Sequence, residues 1–153
     1  MSDSRDMVSV ERVIPAAADA IFALLADPRR HRDIDGSGTV GDAKDLPDRL
    51  RLGSTFGMSM KRGVRYSMVN EVVEFDEGRR IAWEPHMRAL AWVSGGRIWR
   101  YELEPVEGGT RVTETSDISK EKSKIFVRPA AKKTRADMEQ TLARIEEIVT
   151  KPA

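Results

Sequence analysis

The chemistry this 153-residue chain could perform is concentrated at a few positions. In "ADPRRHRDIDGSG", Ala26 to Gly38, the side chains of Arg29, Arg30, His31, Arg32, Asp33 and Asp35 crowd together. Such a run suits proton transfer at His31, cation binding by Asp33 and Asp35, or an arginine grip on a polyanion. The other histidine, His86, follows Pro85 and is far from His31 in sequence. Neither lies in an HExxH or other metal-ligand spacing, and without cysteine there is no thiolate ligand, disulfide or cysteine nucleophile. GxSxG elbows, Walker loops and a GxGxxG after a strand are absent; the glycine-rich pieces read as hairpin turns. We expect no metal and no cofactor. General acid–base catalysis needs only one or two positioned groups, and His86 and Glu114 are the candidates, with Arg97 and Tyr101 beside them. An apolar surrounding would shift their pKa values.

The composition bounds what can position these groups. Hydrophobic residues at 40% and charged residues at 33% describe a folded globular chain, and the length suits one domain over residues 1–153. A formal net charge of +1 gives no global field toward nucleic acid, so no nucleic-acid partner is expected. "MSDSRDM" is polar and lacks an apolar signal core, and no stretch approaches the ~20 apolar residues that span a bilayer. A cytoplasmic location is the expectation.

"MVSVERVI" alternates as a strand and stops at Pro15. "AAADAIFALLAD" repeats Ala17, Ile21, Leu24 and Leu25 at helical spacing. Asp27 then caps and Pro28 starts a second short helix, Pro28 to Asp35, closed by Gly36. Its only large apolar residue is Ile34, so its charges should face water and His31 should be solvated. From Gly38 onward the chain reads as short strands separated by turns at Lys61-Arg62-Gly63, Asp76-Glu77-Gly78 and Glu107-Gly108-Gly109. It ends in an amphipathic helix with Met138, Leu142, Ile145 and Val149 on one stripe. Antiparallel strands followed by a segregated helix imply an α+β fold: a curved antiparallel sheet around a long C-terminal helix, with two short helices after the first strand.

That order, with "VERVIPAAADAIFALLADPRR", "VNEVVEFDEGRRIAWE" and "WRYELEPVEGGTRVTETSD", resembles the START-like (SRPBCC) superfamily, which includes Bet v 1-type proteins and polyketide cyclase/dehydrase relatives. The resemblance covers most of the chain and implies a helix-grip fold with an internal cavity. Its members carry lipids, sterols, polyketides and hormones, and some cyclise or dehydrate polyketides. Relatives often have a tryptophan near the position of Ile34, and this chain does not.

The residues supply walls for such a cavity. Met58, Met60 and Met68 fall on adjacent strands; Trp83, Trp92, Trp99 and Tyr101 fall on or near later ones; Met138 and Leu142 lie on the final helix. Methionine suits an irregular apolar surface, and tryptophan and tyrosine add a polar tip. Arg97 shares strand parity with Trp99 and Tyr101, and Glu114 with Val112 and Ser116, although Thr113 and Thr115 are the alternative inward set. An Arg97–Glu114 pair would anchor a polar ligand head, or serve as a salt bridge at the rim. The expected function is binding or transport of a hydrophobic small molecule, by a protein more in keeping with a carrier than an enzyme. The alternatives are a polyketide cyclase/dehydratase-like enzyme and an interaction module. The module would use the basic stretch of Lys120, Lys122, Lys124, Arg128, Lys132, Lys133 and Arg135, whose only acid is Glu121 and which suits weak contact with an anionic membrane. In this layout the Ala26–Gly38 segment supports or covers the cavity entrance, or gates it through Ile34 and Arg32.

Overall fold

The computed structural model describes residues 5–37, 40–44, 46–62, 64–86 and 95–152, without the side chains of 40–44, 58–62 and 64–66. Strand β1 (Met7–Ile14) leads into helix α1 (Ala18–Leu25), a 3-10 turn (Pro28–Arg30) and helix α2 (His31–Ile34). Strands β2 (Val40–Lys44), β3 (Thr55–Arg62), β4 (Val64–Asp76), β5 (Arg80–His86), β6 (Ile98–Val106) and β7 (Gly109–Asp117) follow. A short helix α3 (Lys124–Val127) and a 3-10 turn (Arg128–Ala130) precede the long helix α4 (Ala131–Thr150). The strands form one antiparallel sheet of seven in the order β1-β7-β6-β5-β4-β3-β2.

The ladder decides which side chains share the inner face. Val10 stands opposite Glu114, Glu114 opposite Tyr101, Tyr101 opposite Ile81 and Trp99 opposite Trp83. Directly opposed residues project to the same side of a sheet, so this row runs across four strands. On β4, a register shift between Val72 and Glu74 marks an irregularity of the kind that bends a strand. Helix α1 turns Ile21, Phe22, Leu24 and Leu25 into the core, and α4 turns in Met138, Thr141, Leu142 and Ile145. The expected stripe of α4 is present apart from Val149, which is only half-buried. Helix α4 lies chiefly over β1 and also meets α1, α2 and β7.

The segment after α1 divides where its capping signals fall. The Asp27 carboxylate accepts from the Arg29 amide at 3.0 Å, with Pro28 opening the turn. Instead of one helix from Pro28 to Asp35, a 3-10 turn hands over to α2. The far end is fastened to α4. The Gly36 amide donates to Thr141 Oγ1 at 2.9 Å, and that hydroxyl donates to the Asp137 carbonyl at 3.1 Å. The Arg144 guanidinium also donates to the Asp35 carbonyl. A Cβ added at Gly36 would stand 2.0 Å from the Asp137 carbonyl oxygen, so only glycine permits this approach. Gly36→Ala is expected to cost about 3 kcal/mol or more through forced backbone separation. An unchanged urea midpoint in the variant would show that the loop can retreat freely.

Candidate functional site

Four rings and two carboxyls converge where α2 covers the inner face. His31, on the first turn of α2, stacks on Trp83 with centroids 4.7 Å apart and planes 23° apart. Phe56 from β3 meets both rings edge-on, at 5.2 Å from His31 and 5.8 Å from Trp83. Trp83 continues to Tyr101 at 5.4 Å, and Tyr101 stands opposite Glu114 in the β6–β7 ladder, near enough for its hydroxyl to bear on the carboxyl. Asp35, just past α2, lies close enough to bear electrostatically on both Tyr101 and Glu114.

The expectation that His31 is solvated is overturned. Only 5% of it is exposed, and its Nε2 lies 2.8 Å from the Leu25 carbonyl oxygen. A carbonyl only accepts, so Nε2 carries the hydrogen. Burial lowers the imidazole pKa, against the pull of the Leu25 carbonyl, and keeps the ring neutral near pH 7. The neutral ring therefore presents Nδ1 as a lone-pair acceptor. The overlooked signal is spacing: His31 and Ile34 are three apart, so one helical face carries both inward.

Glu114 is 2% exposed and Tyr101 5%. Burial, with the negative charge of Asp35 added, lifts the Glu114 carboxyl to about 8, although the Tyr101 hydroxyl acts the other way. Burial and the Glu114 charge push the Tyr101 phenol well above its usual range. At neutral pH this is a pair of mostly neutral groups in an apolar wall; with one O–H engaged between them, the other is left to donate to an oxygen acceptor.

The remaining sequence candidates divide between the two faces. Glu114 takes Tyr101 as its partner, not Arg97, because the register sets Trp99 opposite Ser116 and Tyr101 opposite Glu114. The Arg97 guanidinium lies 5.0 Å above the Trp99 ring. Of the alternative inward set, Thr115 instead bonds Ser9 Oγ at 2.8 Å, one step out of phase with Glu114. His86 stands opposite Val69, with Nε2 3.8 Å from Glu84 and 3.9 Å from Glu71, on the face away from Tyr101 and Glu114. The two catalytic candidates are thus not brought together. Trp83, Met138 and Leu142 are buried; Met68 and Trp99 are half-buried. Met58 opposes Met68 and Met60 opposes Tyr66 in the ladder, but the side chains of Met58 and Met60, like the whole of Trp92, lie outside the described residues.

Arg97 also lines a shallow cleft with Val8, Ser116, Val127 and Ala131, where the inner face of β1 and β7 meets the α3–α4 junction. It opens to solvent and encloses room for about one water molecule. Among the described residues, no group of three His, Asp or Glu is placed to hold a metal ion, and no helix is long and apolar enough to cross a membrane.

A curved antiparallel sheet gripping a long C-terminal helix, with short helices closing one end, defines the helix-grip class. Solved structures share it across nearly the whole chain. Protein CV1439 from Chromobacterium violaceum is 16% identical with a TM-score of 0.76, covering 97% of this chain and 100% of its own. A solution structure of a protein from Arthrobacter aurescens gives 0.75 at 16% identity, covering 99% and 91%. The di-domain ARO/CYC StfQ from the steffimycin biosynthetic pathway gives 0.67 at 12% identity, covering 95% of this chain and 51% of that one. Residues 5–150 match the family described as polyketide cyclase / dehydrase and lipid transport, and the chain belongs to that family. An uncharacterised Mycobacterium tuberculosis protein, Rv0088, is 40% identical over 111 residues, 71% of this chain; the match spans 45% of that relative's length.

Glu114→Gln mimics the protonated acid. The folded wild type keeps its proton up to about pH 8, whereas the unfolded chain releases it near 4.5. The stability that protonated Glu114 contributes is therefore full below pH 4.5 and lost as pH rises toward 8. The variant should gain on the wild type over that window, by on the order of a few kcal/mol at its upper end. Urea midpoints of both proteins across the window measure this; a pH-independent difference would contradict it.

Proposed function

We propose that this protein binds a hydrophobic small molecule, of lipid or polyketide type, between the inner face of the sheet and α4, and that Tyr101 and Glu114 grip its oxygen-bearing end. The observation that carries this reading is the buried Tyr101–Glu114 pair, set among Val10, Trp83, Leu103 and Val112. Apolar walls with a few convergent polar groups are the usual make-up of a small-molecule site. A neutral acid paired with a phenol leaves one O–H to donate to a carbonyl or hydroxyl oxygen. A ligand carboxylate would meet the charge of Asp35 and is disfavoured. Met58, Met60, Met68, Trp99, Met138 and Leu142 complete the proposed walls, with Arg97 at the cleft end. The family's description, which joins cyclisation and dehydration to lipid transport, supports the substrate class.

One observation favours catalysis as a second reading. A carboxyl poised at about 8 exchanges a proton near neutrality, as a general acid or base must. Cyclisation or dehydration of a polyketide would use Glu114 for that exchange and Tyr101 to polarise a carbonyl. The fold shared with the ARO/CYC protein of the steffimycin pathway is compatible with this chemistry.

Native mass spectrometry of the purified protein should reveal a co-purifying apolar compound. Titration with a neutral fluorescent fatty-alcohol analogue should give saturable binding that weakens about tenfold in Tyr101→Phe, the loss of one buried hydrogen bond. A protein that neither carries nor takes up any apolar compound would remove the binding reading. For catalysis, turnover of a poly-β-ketone mimic should drop at least a hundredfold in Glu114→Gln. Unaltered product profiles in that variant would leave binding alone.

A further inference from the structure

We propose that the protein docks on anionic lipid bilayers through α3, with Ile125 and Phe126 inserted at the headgroup level and the surrounding lysines on the lipid phosphates. This surface is separate from the Tyr101–Glu114 site. Ile125 is 76% exposed and Phe126 82%, the most exposed large hydrophobic side chains among the described residues. They are neighbours on one short helix, so they form a single apolar tip. A lone exposed hydrophobic residue is ordinary, but an adjacent aliphatic–aromatic pair at the apex of a basic segment is not.

The tip is held in place. Lys124 Nζ lies 3.2 Å from the Asp6 carboxylate, and Arg128 donates to it at 2.7 and 3.1 Å, so both ends of α3 are tied to the start of β1. The Glu121 carboxylate turns inward, accepting from the Gly95 amide at 2.9 Å and from Ser123 Oγ at 3.0 Å. The stretch's one acid thereby holds the loop and makes no ion pair with a lysine among the described contacts. Lys120, Lys122, Lys132 and Lys133 are all exposed around the tip. Lys133 pairs with Asp137 one turn along α4 at 2.7 Å, while Lys132 adds positive charge to a first turn that contains no acid, where the helix dipole disfavours it.

The chemistry fits a bilayer better than a protein. Two side chains bury far less than the ~1,000 Å² a specific protein interface needs. Dispersed lysines suit a diffuse anionic surface, whereas recognition of discrete carboxylates or phosphates favours the planar fork of arginine. An apolar tip with flanking lysines is also the pattern of interfacial anchors. Topology adds a consequence. The cleft between the sheet and the α3–α4 junction is lined by Val127 and Arg128, next in sequence to the tip, so docking through α3 brings it near the membrane.

The full chain should co-sediment with phosphatidylcholine vesicles containing about a third phosphatidylglycerol, and much less with phosphatidylcholine alone, with binding falling as salt is raised. The double variant I125S/F126S should lower the partition coefficient at least about tenfold. Charge reversal by K120E/K122E should abolish binding at moderate salt. Both variants change exposed side chains, and circular dichroism should match the wild type. Fatty-alcohol analogue binding in solution should be unaffected by I125S/F126S, so failure here is distinct from failure of the cavity reading. The proposal is overturned by absence of vesicle binding at low salt, by binding that ignores I125S/F126S, or by a dimer in solution that I125S/F126S dissociates.

Discussion

Gly36 against the backbone of α4 is the contact on which the inner face depends. Helix α2 has four residues, too few to be stable alone. Its position comes from its two ends: the Asp27 cap before it, and the Gly36–Thr141 and Arg144–Asp35 bonds after it. With both ends fixed, His31 has one place for its ring, between Phe56 and Trp83, and Asp35 is held near Tyr101 and Glu114. A side chain at position 36 would separate the loop from the long helix and loosen all of these at once.

The sheet sorts its carboxylates by face, and the two outcomes can be compared directly. Glu74 accepts from Arg100 at 2.6 and 2.9 Å and lies near Arg80, and the Arg100 hydrogen bond holds its carboxyl below the usual range. Glu114, in the same sheet, has a phenol for a partner and no cation among the described residues, and burial sends its pKa the opposite way. One glutamate is an ion in a network and the other an acid holding its proton. Their residue type is the same; the phase of the strand decides which behaviour each has.

That phase was legible in part. The antiparallel α+β layout, the capping role of Asp27, the hairpin turns and the stripe of α4 follow from local patterns, because caps, turn residues and helical periodicity are written in neighbouring positions. Placing Glu114 on the same face as Val112 was also within reach of strand alternation. Its partner was not. Arg97 and Tyr101 share parity, and only the register, a relation between distant segments, selects Tyr101. His31 was misread because α2 is polar by composition; its burial depends on Trp83 and Phe56 arriving from strands far along the chain.

The pairing of the first strand with the last has a kinetic consequence. Ser9 and Thr115 touch across 106 positions of chain, and β7 acquires its second neighbour only when that loop closes. Closing such a loop costs entropy before any contact repays it, so folding should be slow for the size of the molecule. During synthesis the ribosome must release the chain through β7 before β1 finds its place. Until then the early strand waits as an unpaired edge, which is the interval in which a chaperone would matter most.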